Sequence, residues 1–226
     1  MDALRSLSSD RRAKVGVVYC GTEQRAPDGE VLSVSAPENG GDLRSSIQDI
    51  GASTLPSTFL FVREALLDVG GFDESLSSSI DHDIWMALAT GGYSAVTVDE
   101  SLVIDYKSGD PSMVTNTYSR VEGVRQYVRK WTPTYQQWYG EAEGIQYGKR
   151  YFTRVIARVV RAKVEAGRLI EAWHAARSIL EFSDWSQYSV NYLKRTIRLA
   201  IYVLIEERFP QPVVAALRRM KRMIGG

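Results

Sequence analysis

The sequence predicts an α/β module over residues 1–115 followed by an all-helical extension over residues 116–226. Three observations carry this reading. Short apolar runs alternate with helix-period segments and Gly/Asn/Pro-rich loops up to about Pro111, the order expected when strands and helices build one layered unit. From about Thr117 the apolar residues recur at helical spacing instead. The charge divides at the same place: residues 1–115 hold 8 Lys+Arg against 18 Asp+Glu, a net of −10, and residues 116–226 hold 20 against 9, a net of +11. The formal charge of +1 conceals two chemically different modules.

Taken in order, Met1 to Asp10 reads as a helix and Val15 to Cys20 as a buried strand. Glu30 to Val34 is its partner strand, across a turn signalled by Asp28-Gly29. After a Gly/Asn/Pro loop, Asp42 to Ile50 reads as a short helix stopped at Gly51, and Ser57 to Val62 as a strand running into a helix at Arg63 to Val69. Gly70-Gly71 then turns the chain, Phe72 pins the loop to a core, and Ser77 to Ser79 offer cap oxygens to the apolar-periodic segment that opens at Ile80. Tyr93 to Val98 and Leu102 to Lys107 read as two further short strands, and Pro111 closes the α/β part.

In the second half, three stripes mark helices: Val121, Val124, Tyr127, Val128 and Trp131; then Phe152, Val155, Ile156, Val159 and Val160; then Leu193, Ile197, Ala200, Ile201 and Leu204. Helical hairpins of unequal length follow from their spacing, with no repeat of fixed period. Val213 to Ile224 is short, basic and amphipathic.

Composition bounds the function. A hydrophobic content of 44% supports a sizeable core. Cys20 is the single cysteine, so no intrachain disulfide forms, and its place in an apolar run suits a core residue in a reducing compartment. The N-terminal residues lack the apolar core of a signal peptide, and no run reaches the ~18 residues of a spanning helix. The expectation is a cytoplasmic chain. His82 and His174 lie far apart in the sequence, which argues against a zinc site.

The segment with chemical content is Gly70-Gly71-Phe72-Asp73-Glu74, followed after a serine-rich spacer by Ile80-Asp81-His82-Asp83-Ile84-Trp85. Asp81 is the principal candidate, because a carboxylate at the mouth of a helix can take a proton from a bound hydroxyl. It also has a structural reading: Ser78-x-x-Asp81 has the spacing of a capping box, with the charge where the helix dipole favours it. Asp83 lies about 200° further round a helix, so the two acids cannot point at one substrate atom. Asp83 reads either as a partner for backbone or a basic group, or as a substrate contact. Phe59, Phe72 and Trp85 read first as core aromatics, although a ring at a cleft edge can stack on a sugar face.

Together with Leu55-Pro56-Ser57-Thr58-Phe59-Leu60-Phe61-Val62-Arg63-Glu64-Ala65-Leu66, this ordered pattern resembles the acceptor-side half of an inverting, family-2-like glycosyltransferase of the GT-A fold. The resemblance covers about residues 13–118. It implies a partial GT-A-like (nucleotide-diphospho-sugar transferase) α/β module that moves a hexosyl-type sugar from a nucleotide-sugar donor to a hydroxyl of a glycan or lipid-linked acceptor. It places the catalytic base on Asp81, here preceded by Ile80 where Glu is commoner, and acceptor contacts on Gly71, Phe72, Asp83 and Trp85. It also implies a divalent cation, Mn²⁺ or Mg²⁺, for the complete domain, held by an Asp-x-Asp that ends a strand in the nucleotide-binding half. Asp81-His82-Asp83 instead follows Gly-Gly-Phe-Asp-Glu and enters a helix, so it is not that motif. The expectation is therefore that the donor-binding half is absent, leaving a truncated fragment that binds no metal by itself.

Residues 190–226 carry 8 Lys+Arg against 2 Asp+Glu, a net of +6, and their longest apolar run, Leu199 to Ile205, is seven residues. Such a segment can lie on an anionic bilayer but not cross it, which points to a peripheral enzyme on the cytoplasmic membrane. No nucleic-acid motif accompanies the charge, so no nucleic-acid partner is expected. Two other functions stay open on the sequence: a non-catalytic carbohydrate-binding remnant, and a membrane-peripheral helical scaffold whose α/β part is structural.

Overall fold

The computed structural model describes residues 7–37, 40–48, 56–106 and 116–208, and the backbone alone for 45, 46, 48 and 202–208. The chain divides into two compact units, Met1–Ser112 and Met113–Gly226. The first is a mixed α/β unit and the second is helical.

In the α/β unit, helix α1 (Ser9–Ala13) leads into strand β1 (Val15–Arg25), the spine of a five-stranded sheet. Strand β5 (Ser94–Tyr106) runs parallel to β1 along one edge, from Val15 opposite Ser94 to Arg25 opposite Tyr106. Two antiparallel strands share the other edge: β4 (Phe59–Phe61) lies against Val17, Val18 and Tyr19, and β2 (Val31–Ser35) lies against Thr22 to Arg25. Strand β3 (Gly41–Asp42) pairs with the start of β5. Flanked on both edges, β1 is buried nearly continuously from Val15 to Thr22, as its apolar run requires.

The hairpin read at Asp28-Gly29 forms, with Gly29 at φ +92 and the Ala26 N–H donating to the Glu30 carbonyl at 2.8 Å. One reading needs correction. Residues 94–106 are a single strand and not two, because β5 absorbs Asp99-Glu100 as an irregularity where its register jumps from Val98 to Ser101 while β1 advances from Cys20 to Gly21. The acidic pair interrupts the apolar pattern without ending the ladder.

Helix α2 (Leu43–Gln48) falls within the segment read as helical, while Ile50 and Gly51 lie outside the described residues, as do Lys107 and Pro111. Of the segment Met1 to Asp10 read as a helix, Leu7 and Ser8 are not helical, because α1 starts only at Ser9 after its N-cap Ser8, and residues 1–6 lie outside the described residues. Helices α3 (Arg63–Asp68) and α4 (Ile80–Thr90) pack Ala65, Ile84, Trp85 and Leu88 with Val17 and Tyr19 of β1, Leu43 of α2 and Ala95 of β5 into one core.

The helical unit contains α5 (Thr117–Tyr139), α6 (Glu141–Glu165), α7 (Leu169–Phe182) and α8 (Gln187–Arg208). Asn116 caps α5 by accepting from the Ser119 N–H at 3.1 Å. The first two stripes face the interior, with Val121, Val124, Tyr127, Val128, Phe152, Ile156, Val159 and Val160 buried, whereas the third does so only in part: Leu193 and Ala200 are buried, Ile201 is exposed, and the Leu204 side chain lies outside the described residues. Tyrosines fill the α5–α6 interface, with ring centroids 5.0 Å apart for Tyr127 and Tyr151 and 4.6 Å for Tyr135 and Tyr147. Phe152 stacks on Phe182 at 4.2 Å between α6 and α7, and Thr153 bonds Ser189 at 2.8 Å between α6 and α8. Among the described residues no helix is long and apolar enough to cross a membrane. Val213 to Ile224 lies outside the described residues.

Candidate functional site

The loop that presents Asp81 hangs from the end of α3. The Gly70 N–H donates to the Leu67 carbonyl at 3.1 Å and the Gly71 N–H to the Leu66 carbonyl at 2.8 Å, closing a Schellman motif with φ of +87 and +74 at the two glycines. No atom lies within 4 Å of where a Cβ would stand on either, so the left-handed backbone and not crowding demands glycine. Asp73 then fixes the loop: its Oδ1 accepts from the Ser75 N–H at 3.0 Å and from the Ser75 hydroxyl at 2.5 Å.

Ser79 is the N-cap of α4 and has φ +64, an unusual conformation for a residue with a side chain. Its hydroxyl is buried, makes no cap bond and has no hydrogen-bond partner among the described residues. The capping box read from Ser78 and Asp81 is therefore not how this helix starts. The helix opens one residue later than that spacing requires, which puts Asp81 at its second position and not its third.

Asp81 is half-buried, and among the described residues its carboxylate makes no hydrogen bond and no ion pair. Asp83, two positions on and about 200° around the helix, is 2% exposed. One acid is open and the other is enclosed. This arrangement cannot close on a single cation, and among the described residues no group of three or more His, Cys, Asp or Glu gathers as a metal site. Asp81 and Asp83 together do not fit a Mn²⁺ or Mg²⁺ site.

The aromatic residues form a chain from core to surface. Trp85 is 2% exposed and meets Tyr19 at 5.4 Å and Phe59 at 5.1 Å; Phe59 meets Phe61 at 5.8 Å; Phe61 meets Phe72 at 5.8 Å. Phe72 is the open end, 46% exposed. Trp85, read as an acceptor contact, has its ring faces occupied by packing, whereas Phe72 offers a free face on the same loop as Gly71. The Trp85 indole N–H is buried without a hydrogen-bond partner among the described residues.

Sequence reading missed the Asp73 turn and the left-handed Ser79. The first had a signal, Asp two residues before Ser, which is an Asx-turn pattern. The second had none, since serine carries no left-handed preference.

A groove of about 600 Å³ in this unit lies elsewhere, lined by Arg11, Lys14, Tyr93, Ser94 and Thr97 at the C-terminal end of α4. From Asp81 to Thr90, the last residue of α4, is about 14 Å along the helix axis, and Gly71, Phe72 and Asp81 do not line the groove. No protein-family model, no curated protein and no solved structure matches the chain.

Proposed function

We propose that the α/β unit is the acceptor-side half of an inverting glycosyltransferase of the family-2-like, GT-A type, with Asp81 as general base. The supporting observation is the half-open Asp81 carboxylate, without a protein partner among the described residues, at the second position of a helix whose preceding loop is set by two left-handed glycines. In this reading the acceptor hydroxyl lies at Asp81 with its sugar ring against the free face of Phe72. Gly71 lets the loop approach the ring, and buried Asp83 and Trp85 hold α4 in place.

The acceptor oxygen attacks the anomeric carbon from the face opposite the nucleoside diphosphate. The bond from that carbon to the phosphate oxygen breaks, configuration inverts, and the hydroxyl proton passes to Asp81. A positioned base of this kind contributes about 10²–10⁴-fold. In this reading the donor is held by a nucleotide-binding half. The basic charge of residues 190–226 gives an anionic membrane surface as the place where a lipid-linked acceptor is met.

The test is Asp81→Asn in a protein that carries a donor-binding half. kcat should fall by about two orders of magnitude or more, with donor binding and melting temperature nearly unchanged. Near-normal turnover would overturn the assignment. A loss of about 1 kcal/mol of stability without a kinetic effect would make Asp81 a helix-start residue only.

A further inference from the structure

Where β1 pairs with β2, the burial of the sheet changes. Val15 to Thr22 are largely buried, but all five residues of β2 are exposed and the last residues of β5 alternate between exposed and half-buried. Two in-register rows cross the three strands there: Val34, Glu23 and Ile104, then Val31, Arg25 and Tyr106. Residues directly opposite one another share a face, and Leu102, two positions before Ile104, joins them. One face of this arm therefore carries Val31, Val34, Leu102, Ile104 and Tyr106, each 48–62% exposed. Its only charges, Glu23 and Arg25, neutralise each other in an ion pair.

The opposite face carries mainly polar residues, with half-buried Val103 beside Thr22. Thr22 and Ser35 share a hydrogen bond at 2.7 Å and Ser33 donates to Gln24 at 3.3 Å. The ordinary alternation is thus inverted, with the apolar residues toward solvent. A contiguous exposed apolar patch of this kind marks an interaction site.

We infer that this apolar face of the β2–β1–β5 arm docks a cationic amphipathic helix of a partner protein. Width sets the shape of the occupant: three strands about 4.8 Å apart present a strip about 10 Å wide, the diameter of one α-helix. Charge sets its chemistry. Among the described residues, the arm and its turns hold Glu23, Asp28, Glu30, Asp99, Glu100 and Asp105 against Arg25 alone. An anionic bilayer is repelled by this balance, and a second copy of the arm brings the same excess of negative charge. A helix with an apolar stripe flanked by Lys and Arg is matched on both counts. The inference does not depend on glycosyl transfer, since the arm and Asp81 are separate features of the unit.

The test uses the full chain and two synthetic peptides of about five helical turns, one built from Leu and Lys and one from Leu and Glu. The Leu/Lys peptide should bind and should protect the amides of residues 31–35 and 102–106 from hydrogen exchange. The Leu/Glu peptide should bind at least about tenfold more weakly. The double variant Val34→Ser/Ile104→Ser, which leaves charge unchanged, should lose about tenfold in affinity for the Leu/Lys peptide. Both positions are exposed, so the far-UV spectrum and melting temperature should be kept; if they are not, the exchange footprint on the wild-type chain decides.

Equal binding by the double variant, or protection elsewhere, would overturn the inference by showing attraction to charge alone. Self-association of the wild-type chain that the variant abolishes would make the occupant a second copy. Sedimentation with anionic vesicles that the variant abolishes would make it a lipid surface. Either result refutes a helical protein partner.

Discussion

Gly144→Ala should weaken the helical unit, although it replaces a poor helix former with the best one. A single residue, Gly140 at φ +90, joins α5 to α6, so the two helices begin pressed together. A Cβ on Gly144 would stand 2.5 Å from the Gln136 Cα and from the Tyr135 carbonyl carbon, and closer still to the Gln136 nitrogen. All three are backbone atoms and cannot rotate away. Carbon atoms settle about 3.5–4.0 Å apart, so the helices must separate here by about 1 Å. Tyr147 would move with α6 and loosen its contacts with Tyr135 at 4.6 Å and Tyr139 at 5.2 Å.

Overpacking of this kind costs about 1–3 kcal/mol, and the gain in helix propensity offsets at most about 1 kcal/mol. A net loss of about 1–2 kcal/mol lowers the melting temperature of a unit this size by about 5–15 °C, which thermal denaturation followed by circular dichroism resolves. Gly148→Ala is the control, because its Cβ would meet the Val128 Cγ1 at 2.9 Å, a side-chain atom that can turn aside. It should cost clearly less. A Gly144→Ala chain that melts with or above the wild type, or no lower than Gly148→Ala, would refute the close-crossing argument.

Two further expectations concern pH. Burial pushes the phenols of Tyr127 and Tyr135 well above their ordinary value, and their hydroxyls bond each other at 3.1 Å. The folded unit thus keeps protons that the unfolded chain releases, so this stability is present below about pH 10 and is lost as pH rises beyond it. Tyrosinate absorbance from these two rings should appear only together with loss of the helical signal; ionisation inside an intact fold would contradict it. At the other end of the scale, the Thr117 hydroxyl at 2.5 Å and the Lys163 ammonium at 3.1 Å hold the Glu171 carboxyl below the usual carboxylate range. That contribution is present above the unfolded value and is lost as pH falls through the folded one. Glu171→Gln should flatten the acid limb of the stability curve, and superimposable acid limbs for variant and wild type would rule the network out as its source.

The helical half was legible because its apolar stripes are long enough to fix the period, and the first two bury the face they mark, while the third leaves Ile201 exposed. The β1–β2 hairpin was legible because Asp28-Gly29 signals a turn, and Gly29 supplies the positive φ that this turn uses. The misread element, β5, failed at Asp99-Glu100, where only the ladder with β1 shows that the strand continues. At the site, sequence placed Asp81 at a helix start with its cap among Ser77 to Ser79; the N-cap is Ser79, and no sequence signal announced its left-handed backbone or its lack of a side-chain cap bond. Trp85 and Phe72 looked alike as aromatics near a cleft. Which ring is enclosed depends on Tyr19 and Phe59, which approach only once the sheet has formed.

The spine role of β1 also bears on how fast each unit forms. To complete its ladder, β1 must find β5 with β2, β3, β4 and three helices of chain between them, so the sheet closes through contacts far apart in sequence. The helical unit instead joins α5 to α6 and α6 to α7, each through a turn of a few residues. Chain topology of the first kind slows folding and the second kind speeds it. After dilution from denaturant, the helical unit can therefore be formed while the α/β unit is still searching for its central pair.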